Sequence, residues 1–275
     1  MPESTEFTID ASRRSVFHLN ELWRYRELFF FFTWRDIKIK YKQTVLGFLW
    51  AILQPLLMMI IFTFFFARAL NIPSGNLPYP LYVFSGLLVW NLFSSGLTSA
   101  ANSMVSNAPI IKKIYFPRLV IPISSILVAL FDTLMGFLLF VLLLIFYQQP
   151  VFWWAVLVWP FCILIASLAT LGLGLWLSAL NVKYRDFRYV IPFLVQVLFF
   201  LTPVIYPSSL IEAPALQYVL ALSPMYAVVE LFRYPLTGQV HDTLLVSISL
   251  GANAVFLLVG ALYFRRTEDF FADFA

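Results

Sequence analysis

Charged residues are scarce in this chain, and cysteine is almost absent. Asp, Glu, Lys and Arg make up only 12% of the 275 residues, against about 25% in a typical soluble domain. The single cysteine, Cys162, cannot form a disulfide within the chain, which excludes a small scaffold held by disulfides. Hydrophobic residues make up 61% of the chain and aromatic residues 19%. This composition excludes a disordered protein and favours an integral membrane protein.

The sequence also lacks the motifs of common catalytic sites. It has no GxxxxGK[ST] phosphate loop, no HExxH and no Cys/His cluster with the spacing of metal ligands. We therefore expect no enzyme activity, no cofactor or metal bound by this chain, and no nucleic-acid partner. Two alternatives stay open, a membrane enzyme acting on a lipid-linked sugar and a scaffold protein. The enzyme would need a carboxylate or histidine constellation that the sequence does not show.

Long apolar runs occupy most of the chain. A spanning helix needs about 20 mostly apolar residues, and six windows meet this length: 48–67, 80–101, 119–147, 152–180, 189–206 and 243–264. Runs of this length predict helices, because the strands of a membrane β-barrel alternate over about 10 residues instead. The predicted fold class is an all-α integral membrane protein, with six transmembrane helices in one domain covering 48–264.

Basic residues lie mainly on one side of these predicted spans. Of the 18 Lys and Arg residues, 16 lie before span one, after span two, after span four or in the tail. Cytoplasmic loops of membrane proteins carry the excess of Lys and Arg. Both termini are therefore predicted to be cytoplasmic, as a segment 1–47 and a tail 265–275.

Two segments outside the spans have apolar residues at helical spacing. Residues 16–32, which include Leu22, Trp23, Arg24 and Arg26, predict a basic amphipathic helix in the membrane interface. This helix is either a simple anchor or a lever that senses a cytosolic partner, and it is expected to continue as helix through WRDIKIKYK into span one. On the predicted extracytoplasmic side, prolines divide 208–235 into pieces too short to cross the membrane. This pattern predicts two short helices that cap or re-enter the bundle.

The link after span two carries a helix-start signal beside a pair of basic residues. Ser106 and Asn107 are followed by Pro109, a combination typical of a helix N-terminus. The short helix predicted from this signal has an apolar face next to a basic pair, formed by Ile110, Ile111, Ile114, Lys112 and Lys113. We interpret it as a helix that docks on a partner; the alternative is that its isoleucines lie on the membrane surface.

Asp132 is the only charged side chain within the six windows. Helical rise places it near the middle of the membrane, thirteen residues after Leu119. An ionised Asp there costs about 2.5–3.5 kcal/mol, so it is expected to face the bundle interior and to be partnered or protonated. A packing hydrogen bond to Ser, Thr, Asn or Gln of a neighbouring helix and a role as proton relay or pore contact both stay open.

Aromatic residues within the windows have two interpretations. Aromatic faces pack on sugar rings, which makes Tyr82, Trp90, Phe93 and Phe199 candidates to line a path for a sugar chain. Each of them is otherwise a lipid-facing or core residue.

Several longer strings resemble one known family. They are WRDIKIKYKQTVLGFLWAILQP (34–55), NAPIIKKIYFPRLVIPIS (107–124), LNVKYRDFRYVIPFLVQVLFFLTPVIYP (180–207), LSPMYAVVELFRYPLTG (222–238) and FRRTEDFFADFA (264–275). Together they resemble the polysaccharide-exporting permeases of type-2 ABC transporters, in the order of that family and over nearly the whole chain.

The resemblance implies partners and a function. It implies a homodimer in the bacterial cytoplasmic (inner) membrane, working with two copies of a separate ATP-binding cassette subunit that binds ATP and Mg. It also implies that 107–114 is the helix that couples to the ATPase, beside the interfacial helix. The implied substrate is a lipid-linked polysaccharide such as O-antigen, capsule or teichoic acid, moved along the dimer interface. The alternatives are a type-2 ABC permease for a drug or simple lipid and, from another class, a proton-coupled carrier using Asp132.

Overall fold

The chain folds as a bundle of helices. The structure is a computed structural model that describes residues 19–42, 44–69, 77–184, 186–238 and 242–268, and in these ranges its regular elements are all helical. The helices are α1 (Leu19–Arg24), α2 (Arg26–Lys42), α3 (Leu49–Phe62), α4 (Tyr79–Ser106), α5 (Ala108–Ile111), α6 (Val120–Phe146), α7 (Ala155–Lys183), α8 (Phe187–Leu201), α9 (Pro214–Ala221), α10 (Tyr226–Thr237) and α11 (Thr243–Thr267). A π-helical stretch, Thr63–Ala69, continues α3, and a short 3-10 turn, Ser208–Leu210, precedes α9. The beginning of the predicted cytoplasmic segment 1–47 and the end of the tail 265–275 lie outside the described residues.

The spanning elements confirm the predicted fold class. Among the described residues, five helices are long and apolar enough to cross a membrane: Leu49–Phe66, α4, α6, α7 and α11. A sixth span arises if α9 and α10, which meet at 96°, count as one broken span. The predicted helix through WRDIKIKYK is confirmed, because α2 continues to Lys42. Its connection to α3 includes Gly47, whose φ of +51° lies in the left-handed region that favours glycine.

The predicted fifth span, 189–206, is shorter in the structure. Helix α8 has 15 residues and ends at Leu201, a length of about 22 Å, whereas the apolar core of a bilayer is about 30 Å thick. Thr202 precedes Pro203 and has an extended backbone, with φ −97° and ψ 135°. The residue before a proline is disfavoured in helical conformation, so the apolar run continues past the point where the helix ends.

Helix α4 is the centre of the bundle. In its most apolar window 78% of the residues are buried, against 11% for Leu49–Phe66, and α4 packs against α3, α6, α7, α8 and α10. Small residues bring α4 and α6 close together. A Cβ on Gly136 would lie 3.1 Å from Leu88 Cδ1, and one on Gly96 would lie 3.4 Å from Ala129 Cβ. These two contacts set the antiparallel register and place Asp132, between 129 and 136, level with the middle of α4.

The two short helices predicted within 208–235 are present as α9 and α10. Polar groups of α11 satisfy the backbone of the turn between them, because Ser249 Oγ donates to the Ser223 carbonyl at 2.9 Å and Asn253 Nδ2 donates to the Pro224 carbonyl at 2.8 Å. The Ser223 hydroxyl also hydrogen-bonds Thr202 at 2.7 Å, which ties the turn to the end of α8. A buried turn needs such partners for its backbone; that the pair re-enters the membrane stays a prediction.

Candidate functional site: a polar cleft beside α4 and the α4–α6 link

One face of α4 is polar over three turns, although most of the rest of the helix is buried. Its members recur every three or four residues, so they share one side of the helix, and all are half-exposed or exposed: Asn91, Ser94, Ser95, Thr98, Ser99 and Asn102. Sequence reasoning missed this polar face. The signal was available in NLFSSGLTSAANS, where small polar residues follow the helical period inside an apolar window.

The hydroxyl and amide groups of the polar face donate into their own helix. Ser95 Oγ donates to the Asn91 carbonyl at 2.7 Å, Thr98 Oγ1 to the Ser94 carbonyl at 2.8 Å, and Asn102 Nδ2 to the Thr98 carbonyl at 2.8 Å. A hydroxyl that has donated its hydrogen keeps lone pairs that accept hydrogen bonds. Ser95 and Thr98 therefore present acceptor lone pairs to the cleft, which suit a ligand rich in hydroxyl groups.

A cleft of about 390 Å³ opens along the polar face. It is lined by residues from five helices: Lys40, Tyr41, Trp50, Ala51, Gln54, Pro55, Leu88, Asn91, Ser94, Ser95, Thr98, Ser99, Asp132, Thr133, Gly136 and Val195. The lining combines two aromatic rings with amides, hydroxyls and one pair of opposite charges. Such a mixture can pack on the faces of sugar rings and bond their hydroxyl groups.

Asp132 lies in the wall of this cleft and is held by α2. Its carboxylate accepts hydrogen bonds from Lys40 Nζ and from the Tyr41 hydroxyl. Burial of Tyr41, together with its hydrogen bond to Asp132 and the charge of that carboxylate, raises the pKa of the phenol, which therefore stays protonated and continues to donate. Asp132 thus has partners, as expected from the sequence, but they belong to α2. They are not the Ser, Thr, Asn or Gln of a neighbouring span considered from the sequence, which gives no signal for a contact 92 positions apart.

Arg233 on α10 is a buried charge that the sequence does not identify. Only 3% of the residue is exposed, and its guanidinium lies 3.6 Å from the centre of the Tyr82 ring. Its five N–H groups donate to five oxygens: the Tyr82 hydroxyl and the carbonyls of Pro203 and Val204, each at 2.7 Å, the Tyr82 carbonyl at 3.1 Å and Ser85 Oγ at 3.4 Å. Arg233 therefore joins α10 to α4 and to the link after α8, an arrangement called here the Arg233 clamp.

The clamp leaves no room for a side chain at position 86. A Cβ on Gly86 would lie 2.7 Å from Arg233 Nη2 and 3.0 Å from the Val204 carbonyl oxygen. Two further tyrosine contacts strengthen the same junction, since Tyr79 donates to the Ile205 carbonyl at 2.7 Å and Tyr82 to the Tyr206 carbonyl at 2.9 Å. This end of the bundle is thus fixed by a network of buried hydrogen bonds.

The α4–α6 link differs from its predicted form. Helix α5 has only four residues, and Ile111 is buried against Phe32 and Phe116 in a small cluster with the ends of α6, α7 and α11. The exposed apolar face predicted for Ile110, Ile111 and Ile114 is therefore wrong for Ile111, and Ile110 is half-buried; only Ile114 is exposed, by 63%. Lys112 and Lys113 are exposed beside it, and so is Pro109.

Asn107 connects the link to α2 and does not cap α5 with its side chain. Its amide donates to the Ser103 carbonyl at 2.9 Å, and its side-chain oxygen accepts from Arg35 Nη2 at 2.8 Å. The predicted interfacial helix is broken at Tyr25, between α1 and α2. Trp23, Arg24 and Arg26 are exposed there, whereas Leu22 packs on the cluster around Ile111.

The predicted channel aromatics lie deeper than the cleft. Tyr82, Trp90 and Phe93 are buried within the single chain, and Phe199 is half-buried against Trp90, with ring centres 5.3 Å apart. Their role in a channel stays a prediction. The aromatic rings that do line the cleft are those of Tyr41, which precedes the predicted span one, and of Trp50, which lies at its start.

Comparison with known proteins assigns the chain to a family. A model of the ABC-2 type transporter family matches residues 27–237, which include the cleft, the link and Arg233. Similar proteins include the O-antigen export system permease protein RfbA of Myxococcus xanthus, 33% identical over 78% of this chain and 82% of that protein. A Klebsiella pneumoniae protein of the same name is 28% identical over 87% and 91%. The Escherichia coli polysialic acid transport protein KpsM is 24% identical over 86% and 91%. The chain is a multi-pass membrane protein that belongs to the ABC-2 type transporter family.

Proposed function

We propose that this chain is the permease of an ATP-driven exporter that moves a lipid-linked polysaccharide across the bacterial cytoplasmic membrane. It works as a homodimer with two separate ATP-binding subunits, which bind ATP and Mg and supply the energy. The family supports a transport subunit, and the names of the similar proteins support a polysaccharide as cargo. The observation that carries the proposal is the polar face of α4 in a cleft at mid-bundle depth.

A sugar polymer needs a hydrated or hydrogen-bonding path, because the bilayer core offers its hydroxyl groups no partners. The acceptors of the polar face and the rings of Tyr41 and Trp50 supply such contacts on one side. One chain alone leaves this side open, and α3 at its edge is largely exposed. A second copy facing the first would complete the walls of a channel.

Energy reaches the permease through the α4–α6 link. Lys112, Lys113 and Ile114 are exposed at its tip, while the buried Ile111 and the Arg35–Asn107 hydrogen bond attach the base of the link to the helices behind it. An exposed tip on a fixed base is suited to receive the movement of a docked ATPase.

Deletion of the gene in its host tests the cargo. We expect a lipid-linked polysaccharide to accumulate inside the cell and to return to the surface when the wild-type chain is supplied. Accumulation of a drug-like compound or a simple lipid would support the alternative cargo and overturn the proposal.

The same strain tests the polar face. A Ser95→Leu/Thr98→Leu variant removes two hydroxyls from the cleft and should lower surface polysaccharide at least tenfold. Ser247→Leu is the matched control, because Ser247 is exposed on α11 and makes the same kind of intrahelical bond, to the Thr243 carbonyl at 2.8 Å. Equal export by both variants would contradict a path along α4.

A charge reversal tests the docking role. Lys112→Glu/Lys113→Glu should abolish co-purification of the ATP-binding subunit from mild detergent, whereas Lys183→Glu, at the exposed end of α7, should not. If the double variant co-purifies the ATP-binding subunit as well as the wild-type chain does, the link is not part of the interface with that subunit.

A further inference from the structure

Helix α2 has polar contacts at two places that the proposed function assigns to different tasks. Near its middle, Arg35 Nη2 donates to Asn107 Oδ1 at the base of the α4–α6 link. One and a half turns later, Lys40 and Tyr41 hold Asp132 in the wall of the cleft. No loop interrupts α2 between these contacts, so a displacement at one end is carried to the other.

Packing supports α2 along the same side. Phe32 is 4% exposed and lies against Phe116 of the link, with ring centres 5.6 Å apart, and Tyr41 lies 6.3 Å from Phe131 beside Asp132. Beyond Lys42 the helix ends, and the segment that joins it to α3 includes Gly47 in a left-handed conformation. α2 is therefore attached to the link and to α6, and residues 44–48, which precede α3, are not helical.

We infer that Asp132 is a positioning residue for export: by holding Lys40 and Tyr41 it fixes the end of α2 as a wall of the cleft, so that movement of the α4–α6 link reaches the cleft through α2. The inference rests on the proposed function. It gives the one intramembrane carboxylate of α6 a mechanical role, in which its charge matters only because it holds a partner.

This role predicts a separation of two activities in the complex of the chain with its ATP-binding subunits. Asp132→Ala frees the end of α2 but leaves the link and its exposed tip unchanged. We expect the complex to assemble and to hydrolyse ATP within twofold of the wild-type rate, while polysaccharide export falls at least fivefold. A loss of both activities in parallel, or normal export, would overturn the inference.

Exchange of the two charges provides the rescue. Lys40→Asp/Asp132→Lys restores an ion pair between the same helices and should recover at least half of wild-type export. Lys38→Ala is the matched control, since Lys38 is exposed on the same helix and its ammonium lies 5.2 Å from the Trp34 ring, much as that of Lys40 lies 5.6 Å from the Tyr41 ring. If the exchanged pair assembles with the ATPase but exports no better than Asp132→Ala, Asp132 does not act through position.

A covalent bridge replaces the ion pair altogether. In a Cys162→Ala background, which removes the chain's one natural thiol, Lys40→Cys/Asp132→Cys should export poorly until a bis-methanethiosulfonate linker joins the two thiols. Export should then recover, and reduction of the linker should abolish it again. Recovery supports a positioning role because the bridge carries no proton and no charge; continued failure of the bridged protein would show that Asp132 acts chemically or that α2 has to leave α6.

The controls separate this inference from the proposed function. If the wild-type chain does not restore polysaccharide export to the deletion strain, the proposed function fails and the inference fails with it. If the wild-type chain restores export and the Asp132 variants behave otherwise than described, only the inference fails.

Discussion

Arg233 and Asp132 are two of the charged side chains that the structure places within the helix bundle, and they are held in different ways. Arg233 is almost completely buried, and each of its five N–H groups donates to an oxygen of α4 or of the link after α8. Asp132 is held by two side chains of one helix, and the lysine of that pair is 46% exposed. The Arg233 clamp fixes a junction between three elements, whereas the Asp132 contact joins one helix to one neighbour.

The difference predicts that the Arg233 clamp contributes more to the stability of the fold than the Asp132 contact does. Removing one partner from a buried charge network destabilises a protein by about 3–5 kcal/mol, while an exposed ion pair contributes about 0–1 kcal/mol. Variants of the clamp should therefore change stability, and variants of the Asp132 contact should change export with little change in stability.

Arg233→Ala should have the largest effect. It leaves the carbonyls of Pro203 and Val204 and the Tyr82 hydroxyl without their donors, and we expect a loss of about 3–5 kcal/mol in the free energy of unfolding. Thermal unfolding in detergent, followed by tryptophan fluorescence, measures it, with the exposed Arg188→Ala as control. Equal midpoints for the two variants would show that the clamp does not stabilise the fold.

Gly86→Ala should come next. Its new Cβ would meet Arg233 Nη2 at 2.7 Å and the Val204 carbonyl oxygen at 3.0 Å, and overpacking of this kind costs about 1–3 kcal/mol. Gly251→Ala on α11 is the matched control with the opposite sign: nothing lies within 4 Å of its Cβ position, and alanine is favoured over glycine within a helix by about 0.5–1 kcal/mol. The same thermal unfolding measurement tests this prediction. A midpoint temperature for Gly86→Ala as high as that for Gly251→Ala would contradict the close contact at position 86.

Asp132→Asn should have a smaller effect on export than Asp132→Ala. The amide oxygen of asparagine can still accept from Lys40 and from Tyr41, so we expect at least half of wild-type export. A proton-coupled carrier would instead lose transport completely, because asparagine cannot take up and release a proton. Polysaccharide at the surface of the complemented deletion strain distinguishes these outcomes.

Lys40→Ala should have the smallest effect on stability. Its pair with Asp132 is half-exposed on the lysine side, and we expect a change of about 1 kcal/mol or less. If Lys40→Ala lowered the free energy of unfolding as much as Arg233→Ala does, the two contacts would not differ in how much they stabilise the fold.

The sequence was sufficient for much of the fold because hydropathy and chain length decide where a helix can span a membrane. The predicted windows at 119–147 and 243–264 begin within one residue of α6 and α11. The window at 189–206 extends past the end of α8 because hydropathy does not show that Pro203 ends a helix. The polar face of α4 could have been found from its period, since all its residues lie on one helix.

The contacts of the two charges could not be predicted in the same way. Arg233 reads as a basic residue in a segment between spans, and only the folded chain shows that Tyr82, 151 positions earlier, lies beneath it. Lys40 reads as one of many basic residues near the N-terminus. Ile111 was predicted to be exposed on a docking helix, whereas it lies in a buried cluster with residues of α2, α4, α6, α7 and α11. Each of these contacts depends on how distant segments pack, which periodicity does not encode.

The order of the Arg233 clamp along the chain has a consequence for biosynthesis. Every oxygen that receives a hydrogen bond from Arg233 belongs to residues 82–85 or 203–204, so all of them leave the ribosome before Arg233 does. A bare arginine in an apolar environment is costly. When α10 is synthesised, the acceptors for Arg233 are therefore already present. The arginine does not have to remain without hydrogen-bond partners in the membrane until the rest of the Arg233 clamp is synthesised.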